Sequence, residues 1–535
     1  MPTPRDYFPT AAPRPAQTES LDFIRRAYEQ GFRDVVIEAP TGTGKSFIAS
    51  AAALWGQDAS AMELGGMAGG YVLVNQKMLQ DQMAVDLMRF DASKGRAALI
   101  KSAVEYECPI HRLCSHGAVR KCPHRKEGDC AYRLAKEVFV TSPLGVTNYA
   151  YFFTERAFVG ELIARRVLCL DECHNLAKLI TRFVDVTVNE KGLEKFANSE
   201  LAPDLKRIET VAEFVAWLVR TYIPAVKEKV AIVNALADTH HDLPDAAKLA
   251  HEVAQHQQKV EAAVERLLEG AQDWIFWRED GRDGVELTAR PLEAAPFFPQ
   301  LVMSAGSLRI YLSAFPGDRR TFCRDLGLDP AAVAWLSLDS TFPVEHRPVY
   351  LTTVGSMSRA NKEATTPALL RMVAKLLAKH AGERGVIHSH SYELADKVNE
   401  WLTWSPHARR LTYPRKADDR DEALKAHMAK PDSVLLSPSM AEGFDFKDDI
   451  ARFQIILKCP YPSLGDKQVA AKLARNRRWY ESETVKTILQ ACGRACRSET
   501  DHSSTYILDA DAERLLREWH DDLPGWFTDS LVQFR

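Results

Sequence analysis

The chain lacks any apolar run approaching the ~18 residues of a membrane span. It also lacks the charged start and apolar core of a secretory leader: its first fifteen residues, MPTPRDYFPTAAPRP, are proline-rich and read as a flexible lead. These absences exclude an integral membrane protein and set the expectation of a cytoplasmic one. Net charge is small, −3 over 535 residues, so any nucleic-acid surface has to be a local patch. No C-x-x-C pair is present, and ten cysteines without a leader argue for thiols that are reduced, buried or metal-bound, against a disulfide framework. No internal repeat is evident. What remains is ordinary globular composition, 46% hydrophobic and 26% charged, in a chain long enough for three or four domains of ~100 to 200 residues each.

The stretch that organises the rest is VVIEAPTGTGKS, Val35 to Ser46. A β-branched run reads as a buried strand, the chain breaks at Pro40-Thr41-Gly42-Thr43-Gly44, and Lys45-Ser46 opens the helical run FIASAAALW. Strand, glycine loop and helix in that order are what a phosphate site needs. Gly42, Thr43 and Gly44 let backbone N–H groups close on phosphate oxygens, Lys45 neutralises the outer phosphates, and the Ser46 hydroxyl ligates magnesium. Ala39 stands where the G-x-x-x-x-G-K-[ST] pattern has its first glycine. A second apolar strand, VLCL (Val167 to Leu170), runs into Asp171-Glu172-Cys173-His174. Adjacent carboxylates at the end of a buried strand suit phosphoryl transfer, one acid holding magnesium and the other orienting or deprotonating water.

Between these motifs lie Tyr71 to Val74, a strand, then NQKMLQDQM, whose Gln76, Lys77, Gln80 and Gln82 form either a solvated helix face or a contact to a nucleic-acid backbone. Cys108, Cys114, Cys122 and Cys130 follow, separated by five, seven and seven residues among basic side chains such as Arg120, Lys121 and Arg125. Such clustering fits a loop around a soft metal; free thiols, zinc and an iron-sulfur cluster all remain open on spacing alone, with His111, His116 and His124 as substitute ligands. VFVT (Val138 to Thr141) reads as a strand. From Arg182 to Gln272 the pattern becomes helical, with Phe214, Leu218 and Tyr222, and Val253, Val260, Val264 and Leu267, on apolar stripes. WIFWREDGRDGVELTARPL then reads as two strands returning the chain to a sheet. Strands YLSAF (Tyr311 to Phe315), within ERGVIHSHSYEL, in SVLLSPSMAEGFDF and at IILKC alternate with helices, implying a second parallel α/β domain. The basic run Lys472 to Tyr480 is a solvated face or a strand-tracking surface. On a helix, Gln490, Gly493, Arg494 and Arg497 of QACGRACR share one face, from which two arginines could reach a γ-phosphate as fingers do.

With APTGTGKS, DECHNL, EGFDF, KCPYPSLGD and QACGRACR in this order, and LQDQ after the second strand, the chain resembles the XPD/DinG family of superfamily 2 helicases across residues 14 to 510. The cysteine group narrows the resemblance to the iron-sulfur branch. It implies an α/β fold of two RecA-like motor domains, the first interrupted by an iron-sulfur domain and a helical arch. The expected boundaries are 1–100, 136–181 and 273–342 for the first motor domain, 101–135 for the cluster domain, 182–272 for the arch and 343–535 for the second motor domain. It further implies ATP between the motors and 5′ to 3′ movement on single-stranded DNA, with forked or hybrid duplexes as partners of a monomer. Lys45 and Ser46 would hold phosphates and magnesium, Asp171 would ligate magnesium, Glu172 would activate water, and Arg494 and Arg497 would be the fingers. Gln490 would sense nucleotide, and Gln17, in RPAQ, would read adenine. Cys108, Cys114, Cys122 and Cys130 would hold a 4Fe-4S cluster. Ser313 would sit in the coupling motif, which reads SAF where the family has SAT.

Overall fold

The computed structural model describes all residues except 1, 11, 59–64, 76–82, 84–95, 109–111, 114–129, 240–243, 271–272, 282–283, 416–418, 439–445, 447, 495, 497, 499 and 533–535. The proline-rich start is a packed segment and no free lead. Phe8 is buried, the Trp55 indole donates to the Pro2 carbonyl (3.1 Å), and the Tyr7 hydroxyl donates to Asp58 (3.1 Å). Proline at the first turn then starts α1 (Pro15–Glu29), since its missing N–H would have no partner there anyway.

β1 (Asp34–Glu38) is buried along its whole length and feeds the glycine loop, after which α2 (Lys45–Trp55) begins. β2 (Met67–Val74), β3 (Ala97–Leu99) and a two-stranded ribbon, β4 (Glu107–Cys108) with β5 (Arg112–Leu113), follow. Val138 to Thr141, expected as a strand, form the last turn of α3 (Ala131–Thr141). Phe139 is fully buried while Val138 is 58% exposed, a helical division of faces that a run of four β-branched and aromatic residues is too short to reveal. The strand comes three residues later, as β6 (Leu144–Asn148), followed by α4 (Tyr149–Thr154), β7 (Arg165–Asp171) and α5 (Leu176–Phe183).

The inserted unit then begins with β8 (Val186–Asn189) and contains two long helices, α6 (Ile223–Thr239) and α7 (Pro244–Gly270). The apolar stripes expected here are core: Phe214, Leu218, Tyr222, Val253, Val260, Val264 and Leu267 are buried in one cluster. The hairpin β9 (Trp274–Gly281) and β10 (Gly284–Pro291) does not return the chain to the first parallel sheet. It pairs antiparallel with β8 in a separate three-stranded sheet whose Val285, Leu287 and Ala289 join the helical core. The chain re-enters the first parallel sheet only at β11 (Gly306–Ser313), continuing through α8 (Arg319–Leu326) to β12 (Val333–Ser337).

Among the described residues the first lobe is a seven-stranded parallel sheet in the order β12-β1-β11-β7-β2-β6-β3. Its near-continuous Val, Ile and Leu runs reflect burial on both faces. The second lobe repeats the plan with β13 (Val349–Gly355), β14 (Gly385–His388), β15 (Leu411–Thr412), β16 (Val434–Ser437), β17 (Phe453–Ile456), β18 (Ser504–Asp509) and β19 (Leu531–Val532). Its order is β15-β16-β14-β17-β18-β13-β19, again all parallel. Between β17 and β18 run α9 (Lys467–Arg475) and α10 (Arg477–Cys492), which carry the basic run. Its charges are paired within the chain, Lys472 in the interior and the arginines at the surface. Lys472 is buried over the Trp479 ring (4.7 Å), Arg477 pairs with Glu481 (2.7 Å), and Arg478 pairs with Asp522 while lying over Trp519 (3.6 Å). α9 also braces the hairpin's base: the Gln468 side-chain amide donates to the Pro291 carbonyl (2.9 Å), and Arg475 faces Asp273 (3.6 Å).

Candidate active site

Both sheets present the carboxyl ends of their strands to a shared cleft, where doubly wound folds place ligands. On the first lobe the glycine loop turns through Gly42 (φ 81°) and Gly44 (φ 83°), conformations that a β-carbon disfavours. A side chain at Gly44 would also collide with Gln17 Nε2. Gln17 is buried, donating to the Thr43 carbonyl (2.9 Å) and accepting from the Arg14 backbone N–H (2.8 Å), while the Arg14 guanidinium donates to the Gly42 carbonyl (3.1 Å). RPAQ therefore clasps the loop from behind with two side chains, of which the motif had drawn attention only to the glutamine. Thr43 Oγ1 donates to the Pro40 carbonyl (2.7 Å), and Lys45 Nζ rests against the Ala39 carbonyl (3.4 Å).

Glu38, the last residue of β1, is buried and accepts a hydrogen bond from Ser337 Oγ (2.6 Å). Burial pushes its carboxyl up to about 7, and the Ser337 hydroxyl only partly opposes this. A raised carboxyl favours the folded state at low pH, and that advantage is lost as pH climbs from about 4.5 through about 7. Glu38→Gln is therefore expected to raise the thermal midpoint at pH 8 by up to about 3 to 6 °C, from an upper limit of about 3 kcal/mol, with most of the gain absent at pH 5. Calorimetry at both pH values checks this; an equal shift at each would refute the ionisation argument.

At the end of β7, Asp171 is buried, and burial together with the adjacent Glu172 pushes its carboxyl up against the pull of Lys45. For Glu172 desolvation acts upward too, yet the His174 hydrogen bond and the charges of Lys45 and Arg494 hold it below the usual carboxylate range. The two acids are thereby driven apart, the arrangement that assigns different roles to neighbouring carboxylates. A divalent cation beside Asp171 would expel its proton, so the donor set of Asp171 and the Ser46 hydroxyl fits magnesium.

His174 is the residue that the sequence left without a role. Its Nε2 is approached by Asn175 Nδ2 (2.8 Å) and, from α10 of the second lobe, by Gln490 Nε2 (2.6 Å), which makes Nε2 the acceptor and places the proton on Nδ1. Nδ1 then faces both Ser313 Oγ (2.9 Å) and Glu172 Oε2 (3.2 Å). One imidazole thus joins the acid, the coupling strand and the opposite lobe. A second bridge runs from Thr41 Oγ1 in the loop to the Gly493 carbonyl (2.8 Å). Phe315, the third residue of SAF, is 1% exposed and packs into the core of the second lobe with Cys459, Val485 and Ile488, so this chain has exchanged a hydroxyl for an apolar anchor across the cleft.

The proposed arginine face needs correcting. α10 ends at Cys492 and Gly493 caps it, so Arg494 lies beyond the helix in a turn and does not share a helical face with Gln490. Its charge still reaches Glu172. Arg497 lies outside the described residues, as do Glu442 to Asp445, Gln76, Lys77, Gln80 and Gln82. Of the four cysteines, Cys108 ends β4 and Cys130 occupies the N-cap position of α3, while Cys114 and Cys122 are outside the described residues. Among the described residues no three His, Cys, Asp or Glu side chains gather as a metal site. On the far side of His174 the cleft widens into a cavity of about 550 Å³ lined by Lys178 and Arg182 of α5 and by His390, Trp479 and Lys486 of the second lobe.

Comparison with known proteins agrees with this fold. The family described as Helicase C-terminal domain matches residues 374–530, and that described as Type III restriction enzyme, res subunit, matches 10–198. Among curated proteins the chain is 22% identical over 240 residues to the ATP-dependent DNA helicase CHL1 of Saccharomyces cerevisiae, covering 37% of this chain and 27% of that one. It is 25% identical over 139 residues to CHL1 of Vanderwaltozyma polyspora, covering 22% and 16%. The match thus spans about a quarter or less of these relatives. Among solved structures it is similar to one titled XPD helicase (TM-score 0.63, 15% identity, 98% of this chain and 100% of that one). It is also similar to Xpd4 of S. tokodaii (TM-score 0.56, 15% identity, 98% and 100%).

Proposed function

We propose that this chain is an XPD/DinG-like helicase of superfamily 2, an ATP-dependent DNA helicase that moves 5′ to 3′ on single-stranded DNA and opens forked duplexes or DNA–RNA hybrids, a reading supported by the two family matches and the helicase relatives. The observation that carries this reading is the cleft itself: Lys45, Asp171 and Glu172 of one lobe face Gln490 and Arg494 of the other, and His174 is bonded to both sides. ATP lies with its phosphates in the Gly42–Ser46 loop, Lys45 neutralising the outer ones; Gln17, expected to read adenine, is buried with its amide spent on Thr43 and Arg14 and instead holds the loop. Magnesium, held by Ser46 and Asp171, supplies positive charge at the phosphate oxygens. Glu172, ionised at neutral pH, accepts the proton of the attacking water. Arg494, with Arg497, offsets the charge that develops on the transferred phosphoryl group. Because the Gln490 amide donates to His174, closing the lobes fixes the imidazole that orients Glu172, which ties hydrolysis to lobe position.

The strand itself is proposed to occupy the cavity beside α5, where Lys178 and Arg182 suit phosphates and Trp479 offers an aromatic edge. The four thiols of Cys108, Cys114, Cys122 and Cys130 are a soft donor set suited to a 4Fe-4S cluster, which would tie the segment from β4 to α3 together. The protein acts as a monomer in the cytoplasm. Steady-state ATP hydrolysis with and without single-stranded DNA, followed by strand displacement on duplexes bearing either a 5′ or a 3′ tail, tests the proposal. DNA-stimulated turnover with displacement only from the 5′ tail is expected; stimulation without displacement would instead indicate a translocase that remodels protein–DNA complexes or R-loops.

A further inference from the structure

Glu172 is one of three described non-glycine residues with positive φ, at 51°. A side chain disfavours that conformation, so the surrounding structure has to hold it there. Two backbone bonds help: the Glu172 N–H donates to its neighbour's Asp171 Oδ1 (3.1 Å), and the Glu172 carbonyl accepts from Asn175 N–H (3.1 Å). The third comes from outside the motif. The ladder between β7 and β2 stops at Leu170, and one residue further on the Asp171 carbonyl accepts a hydrogen bond from the hydroxyl of Tyr149 (2.8 Å), the first residue of α4, whose side chain is 1% exposed.

We infer that Tyr149 is a positioning residue for hydrolysis: its hydroxyl fixes the Asp171 carbonyl and with it the left-handed turn that aims the Glu172 carboxylate at the attacking water. The inference rests on the reading of Lys45, Asp171 and Glu172 as the hydrolytic site. It also gives that site a mechanical neighbour. α4 is fastened to α3, directly behind Cys130, by two contacts one helical turn apart: Tyr132 Oη to Tyr151 Oη (3.0 Å), and Lys136 Nζ to both oxygens of Glu155 (2.8 and 2.9 Å), the residue that follows α4. Tyr149 is thus the last link between the cysteine-bearing segment and the catalytic turn.

The test compares Tyr149→Phe with Tyr71→Phe, which removes a similar buried phenol-to-carbonyl bond, to Ile163 (3.2 Å), elsewhere in the same sheet. Both are assayed well below their melting temperatures, with rates counted per chain that binds a non-hydrolysable ATP analogue. Tyr149→Phe is expected to lower kcat for ATP about fivefold with KM unchanged within twofold, and Tyr71→Phe to change neither. An unchanged kcat in Tyr149→Phe, a proportional change of kcat and KM, or an equal loss in Tyr71→Phe overturns the positioning role. Absence of ATP hydrolysis in the unmutated protein overturns the reading of the site itself, and the inference with it.

Discussion

Lys45→Ala is expected to lower ATP turnover by about 10²- to 10³-fold while leaving single-stranded DNA binding within about twofold of the unmutated protein. The lysine opens α2 at the end of the glycine loop, and among the described contacts its ammonium rests only weakly, at 3.4 Å, on the Ala39 carbonyl. That contact stabilises the fold little, so its loss should not unfold the lobe. On the proposed function the charge has a catalytic task instead: it lies close enough to Asp171 and Glu172 to lower both carboxyls, and nothing else described in the loop carries a positive charge. DNA binding, by contrast, is assigned to the cavity beyond His174. Turnover by malachite-green phosphate release and binding by fluorescence anisotropy separate the two; undiminished turnover would remove the loop from the mechanism.

The second large effect is expected from Cys114→Ser. A serine hydroxyl is a poor ligand for iron, so losing one of four thiolates should leave the purified protein without cluster iron and abolish strand displacement, while ATP hydrolysis without DNA continues at a measurable rate. Anaerobic purification, elemental analysis and the visible absorption band supply the readout, with about four irons per chain expected in the unmutated protein. Zinc in place of iron in that protein would overturn the cluster assignment. Because α3 and α4 are locked through Lys136 and Glu155 below Cys130, the motor domain should keep its thermal midpoint in this variant.

What was legible in the sequence was whatever is contiguous. The loop Gly42 to Ser46 and the pair Asp171-Glu172 each follow their own strand directly, so a local pattern carries both the element and the chemistry. The contacts that assemble the site are not contiguous. Arg14 with Gly42, Gln490 with His174, Thr41 with Gly493 and Tyr149 with Asp171 join residues with no periodic relation, and in NYAYFF the tyrosines read only as core. The misread elements have local causes of the same kind. VFVT has strand composition but occupies a helix end, and the hairpin at 274–291 was read correctly as two strands while its partner, β8, lies nearly ninety residues earlier. QACGR was expected to continue one helix, yet its glycine ends it.

The position of β1 has a consequence for how the protein is made. Asp34 to Glu38 are flanked on one side by Arg309 to Ser313 and on the other by Val333 to Ser337, so neither neighbour of the nucleotide-loop strand exists until the ribosome has produced most of the chain. Parallel pairing over such a separation is slow and leaves apolar strand edges bare in the meantime. The inserted unit, whose sheet closes between residues 186 and 291, has all its strands earlier and can be complete while the lobe that carries it still waits for β11 and β12, the two neighbours of β1.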